Sequence, residues 1–108
     1  MTQPASTPVP LYMRVFPDYD DELIIPEGWE DTSWGNDCCP SICRIPNADF
    51  QVYQDYKDPK LREPHLLEAP RYGIQNPQTG EQFPMVDTWE EVLQIIADFD
   101  AKKKVEGA

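Results

Sequence analysis

Thr88-Trp89-Glu90-Glu91-Val92-Leu93-Gln94-Ile95-Ile96-Ala97-Asp98-Phe99 is the stretch on which the fold turns. Trp89, Val92, Leu93, Ile96 and Phe99 recur at the three- and four-residue spacing that lines one side of an α-helix, with Glu90, Glu91, Gln94 and Asp98 between them. Thr88 followed by Glu91 forms a capping box: the hydroxyl can accept from the backbone N–H three residues on, and the carboxylate can reach back. Glu90 and Glu91 complement the positive end of the helix dipole, and Lys102, Lys103 and Lys104 the negative end. Cap, period and charge order agree on a helix over 88–103.

Such a helix needs an apolar face to cover, and the residues before it supply short strands. Arg71–Gln75 and Glu81–Val86 flank Asn76-Pro77-Gln78-Thr79-Gly80, a turn sequence, and predict a hairpin whose Pro84 places the return strand at an edge. Asp49–Tyr56 alternates, with Phe50, Val52 and Tyr56 on one face and Gln51, Tyr53 and Asp55 on the other, as a half-buried strand requires. Leu11–Phe16 reads as a further strand closed by Pro17, and Leu23-Ile24-Ile25 as a short apolar run closed by Pro26. The expected architecture is α+β, a short antiparallel sheet packed by one C-terminal amphipathic helix. Its boundaries are a flexible leader over 1–10, a single domain over 11–104 and a tail over 105–108, with no internal repeat.

Composition narrows the class. Twelve of the 108 residues are proline, against a usual ~5%, so regular elements must be short outside the proline-free windows 27–39, 47–58 and 85–108. The twelve aromatic residues argue for a packed core over disorder. No apolar run approaches the ~18 residues of a membrane span, and no basic and apolar signal segment follows Met1. With 20 acidic against 9 basic residues and a net charge of −11, direct nucleic-acid binding through a basic face is disfavoured.

The charge is unevenly placed. Between Arg14 and Arg44 there is no basic residue, while Asp18, Asp20, Asp21, Glu22, Glu27, Glu30, Asp31 and Asp37 all lie there. Trp29 and Trp34 stand among them, and exposed tryptophan beside charge is typical of a binding hot spot. The segment is thus a candidate docking face, able to imitate phosphate spacing and to be steered toward a basic groove. The bland alternatives are acids that only keep a small protein soluble and tryptophans that anchor a loop.

Cys38, Cys39 and Cys43 cluster within six residues, which points to reduced thiols in the cytoplasm rather than a disulfide scaffold. With His65 they formally supply four zinc ligands, although the adjacency of Cys38 and Cys39 makes joint ligation awkward. A Cys–His nucleophile pair has only residue type behind it, and no phosphate-cradling loop, G-x-S-x-G or H-E-x-x-H is present. Neither an enzyme nor a cofactor is expected.

The run Gly28–Asp37 with Cys39-Pro40-Ser41, then Asp55-Tyr56, Asp58-Pro59 and the Thr88-Trp89-Glu90-Glu91 helix, resembles small proteins carried by bacterial phages and plasmids. The resemblance covers roughly residues 27–100 and implies an inhibitor of host defence, of the anti-CRISPR or nucleic-acid-mimic type. It further implies a basic nucleic-acid-binding protein or complex of the host as partner, and a monomer or homodimer in the cytoplasm. A zinc-binding or redox-responsive protein using the three cysteines, and a structural phage or plasmid component, are the alternatives from other classes.

Overall fold

Alternation along residues 49–56 builds the middle of the sheet. In the computed structural model, which describes the backbone of residues 9–106 and the side chains of 9–102, strand β3 (Gln51–Gln54) turns Val52 inward. It sits between β2 (Ser41–Arg44) and β4 (Tyr72–Gln75), with β1 (Trp29–Asp31) and β5 (Gln82–Val86) as the edges of a five-stranded antiparallel meander, β1-β2-β3-β4-β5. The register brings Ile42, Val52 and Ile74 side by side across β2, β3 and β4, and Ile74 opposite Phe83 of β5. These β-branched and aromatic neighbours form one continuous apolar face. Pro84 lies on an edge strand, where its missing N–H breaks no interior ladder. Gly80 closes the β4–β5 loop at φ +80°, a conformation that disfavours a side chain, and its N–H reaches the Asn76 carbonyl at 2.8 Å.

Helix α2 (Trp89–Glu106) covers that face. Thr88 Oγ1 accepts from the Glu91 N–H at 3.2 Å and donates to the Glu91 carboxylate at 3.0 Å, so the carboxylate meets the hydroxyl instead of the Thr88 N–H. Val92 and Ile96 are buried, with Trp89, Ile95 and Phe99 packed beside them. Leu93, expected on the stripe, is 48% exposed because it lies about 100° around the axis from Val92, and Ile95 takes its place. Phe50, fully buried, meets Phe99 edge-on at 4.9 Å and Phe83 at 5.2 Å. Arg44 lies over the Phe50 ring and ties Asp49 of the sheet side to Asp100 of the helix at 2.8 and 2.9 Å. The helix runs to Glu106, past the end expected at 103; leader residues 1–8 and tail residues 107–108 lie outside the described residues.

Leu11–Phe16 is not a strand. Pro10 starts a single helical turn, α1 (Leu11–Val15), whose Met13 and Arg14 N–H groups bond the Pro10 carbonyl. Every residue of 11–16 except Arg14 is apolar, so no two-residue alternation exists, while Tyr12 and Phe16, four apart, are both buried. Leu23-Ile24-Ile25 joins no strand of the sheet; Leu23 is buried and the Ile24 N–H is taken by the Gln54 side chain at 3.3 Å. Gln54, 2% exposed, also donates to Tyr19 Oη and the Glu22 carbonyl at 2.8 and 2.9 Å. One buried amide thereby fastens residues 19–24 over the end of the core, with its own polar atoms satisfied.

Candidate functional site

The alternation that turns Val52 toward α2 turns Gln51, Tyr53 and Asp55 to the opposite face of the sheet. A chain of side-chain hydrogen bonds crosses that face. Thr32 Oγ1 and Ser41 Oγ are 3.0 Å apart, Gln51 donates to Ser41 at 3.3 Å, Gln75 to Gln51 at 2.9 Å and Gln82 to Gln75 at 3.2 Å. Beside this ladder a cleft of about 330 Å³ is lined by Tyr53, Gly73, Leu66 and Met85, with Cys38, Cys39 and Asp55 among its polar boundary. A cleft mostly apolar in lining with a few convergent polar groups is the usual form of a ligand site.

Those three polar groups come together through strand pairing. Ser41 lies opposite Tyr53, and the Gln54 N–H bonds the Pro40 carbonyl at 3.0 Å, so the pairing carries Cys39 to the level of Asp55. The ligand atoms of Cys38, Cys39 and Asp55 all lie within 4.8 Å of one another. The Cys38 and Cys39 sulfurs share a hydrogen bond of 3.9 Å, which draws the Cys38 thiol below its ordinary range. The same bond, with burial, pushes the Cys39 thiol far up. Burial likewise raises the Asp55 carboxyl, and pushes the Tyr53 hydroxyl up to about 12.

Adjacency was expected to make joint ligation by Cys38 and Cys39 awkward; the bend before β2 nevertheless brings both sulfurs within 4.8 Å of one another and of Asp55. Cys43 and His65, the other expected ligands, are not part of this group among the described residues. Asp55 is the residue that sequence reading missed as a site partner. Its place on the polar side of the β3 alternation was readable; the β2–β3 register that sets it against Cys39 was not.

The acidic segment divides into two sets. Asp18 accepts from the Tyr56 hydroxyl at 2.7 Å, Asp20 from the Lys57 and Asp58 N–H groups at 2.8 and 2.7 Å, and Asp21 pairs with Arg71 at 2.9 Å. Asp31 accepts from the Tyr12 N–H at 2.9 Å and the Ser33 N–H at 3.0 Å. These four tie the segment to the fold. Desolvation works against ionising Asp20 and Asp21, but the N–H donors, and Arg71 for Asp21, outweigh it and hold both below the usual carboxylate range. Glu22, Glu27 and Glu30 are exposed, and their carboxylates have no protein partner among the described residues. Asp37 is half-buried and raised by desolvation. Trp29 packs against the core, whereas Trp34 is 61% exposed on the turn that follows β1.

Comparison of the chain with protein families, curated proteins and solved structures finds no match. Among the described residues, no helix is long and apolar enough to cross a membrane.

Proposed function

We propose that the chain is a non-catalytic acidic binding protein that docks on a basic, nucleic-acid-binding surface of a partner protein in the cytoplasm. The observation that carries this reading is Trp34, 61% exposed, in a stretch without Lys or Arg where the exposed Glu22, Glu27 and Glu30 carboxylates have no protein partner among the described residues. An exposed tryptophan in the same acidic stretch as unpaired carboxylates offers an apolar anchor together with long-range attraction. The resemblance to small phage- and plasmid-borne proteins supplies the partner class, a host defence complex of the kind anti-CRISPR proteins block.

The division of the acids decides how this is tested. Reversing Asp20, Asp21 or Asp31 would disturb the fold itself, so the informative variants are Glu22→Lys, Glu27→Lys and Glu30→Lys combined, and Trp34→Ala alone. Capture of a nucleic-acid-binding complex from bacterial lysate should weaken with salt, yield to added duplex DNA, and fall at least about tenfold in either variant. Capture that survives both variants unchanged refutes the reading.

A further inference from the structure

We propose that Cys38, Cys39 and Asp55 form a binding site for a thiophilic divalent cation, zinc foremost, with a fourth coordination position open to the cleft. This goes beyond the docking function and does not depend on it.

Three observations converge. The two sulfurs stand 3.9 Å apart. Two thiolates bound at ~2.3 Å to one tetrahedral zinc ion stand about 3.8 Å apart, so the pair is already at chelating separation. The Asp55 carboxyl group completes a three-ligand set within 4.8 Å.

The second observation is Asp55 itself. It is 5% exposed, and its Oδ1 accepts from the Tyr56 N–H at 2.8 Å. Its Oδ2 has no hydrogen-bond partner among the described residues, and Asp55 takes part in none of the ion pairs, although Arg62 and Arg71 act on its charge and the Arg71 Nε–H donates to the Asp55 carbonyl at 2.8 Å. A carboxyl group this deep calls for polar partners, and both cysteine sulfurs lie within 4.8 Å of one of its oxygens.

Third, all three residues border the cleft, whose remaining lining is largely apolar. An ion seated there would keep one position for water or a small donor ligand, the three-plus-one arrangement of open zinc sites. The soft thiolate pair selects zinc over magnesium or calcium, which prefer all-oxygen shells. Loading the site releases the thiol protons to solvent, so affinity rises with pH.

The test is titration of the reduced full-length protein, stripped with chelator, with zinc and then with cobalt(II) as a spectroscopic stand-in. One equivalent should bind, with the visible d–d absorption and sulfur-to-metal charge-transfer bands of a tetrahedral thiolate site. Cys38 is exposed, so Cys38→Ser leaves the core untouched and should weaken binding about a hundredfold or more; Asp55→Asn should weaken it at least about tenfold. Cys43→Ser should bind as the parent does. Zinc affinity equal in the parent and Cys38→Ser, absence of thiolate charge transfer, or loss of binding in Cys43→Ser would each overturn the assignment.

Discussion

The two faces of the sheet are cut from the same strands and follow opposite rules. Toward α2 the strands present Ile42, Val52, Ile74 and Phe83, closed by Phe50, Phe99 and Val92 into a dry aromatic and aliphatic layer. Away from α2 they present a glutamine ladder, a cleft and a pair of thiols beside a buried carboxyl group. A covered face gains its stability from packing and tolerates little change. An open face contributes little to stability and can carry polar groups whose arrangement serves binding.

The sharpest way to break this contrast is to empty the covered side. Phe50→Ala removes a fully buried ring from between Phe83 and Phe99 and should cost about 3–5 kcal/mol, read as a large fall in the urea midpoint. Gln54→Ala comes next. It strands the Ile24 N–H and the Glu22 carbonyl, and should cost about 2 kcal/mol together with faster amide exchange over residues 19–24. On the open face Gln75→Ala breaks two ladder links at a partly exposed position, and its cost should stay below about 1 kcal/mol. Equal losses for Phe50→Ala and Gln75→Ala would erase the distinction.

The smallest effects come from titration, and here the regions carry opposite signs. Asp20 and Asp21 have folded-state pKa values below the unfolded value, so the stability they contribute is present above about pH 4 and is lost as pH falls through the lower folded value. Asp55 is raised by desolvation, so in metal-free protein it disfavours folding once pH rises through its folded value. Urea titrations should therefore find Asp20→Asn destabilised at pH 7 but matching the parent near pH 2. Metal-free Asp55→Asn should be stabilised at pH 7 and unchanged at low pH. If Asp55→Asn gains nothing at neutral pH, the strain assigned to that carboxyl group is absent.

What could be read from residues alone follows the range of the interactions. The C-terminal helix was legible because its cap, period and charges lie within a few residues of each other, and the β4–β5 hairpin because Asn76–Gly80 encodes its own turn. Strands β1 and β2 were not, being three and four residues long with a single apolar residue in Trp29-Glu30-Asp31 and cysteines in and before the second. The misreading of Leu11–Phe16 came from an apolar run without a period. The tethering of Asp18, Asp20 and Asp31 was hidden because their partners are a tyrosine hydroxyl and backbone N–H groups 19 to 38 residues away, which no local pattern announces. For the same reason the Cys38–Cys39–Asp55 cluster emerges only once register is known.

Because each strand pairs only with its neighbour in sequence, the sheet can zip up through successive closures of adjacent segments, the longest of them running from Gln54 to Tyr72. Docking of the amino-terminal segment, whose anchors at Tyr56, Lys57 and Asp58 are nearly forty positions downstream, closes a longer loop than any of these and bears the larger entropic cost.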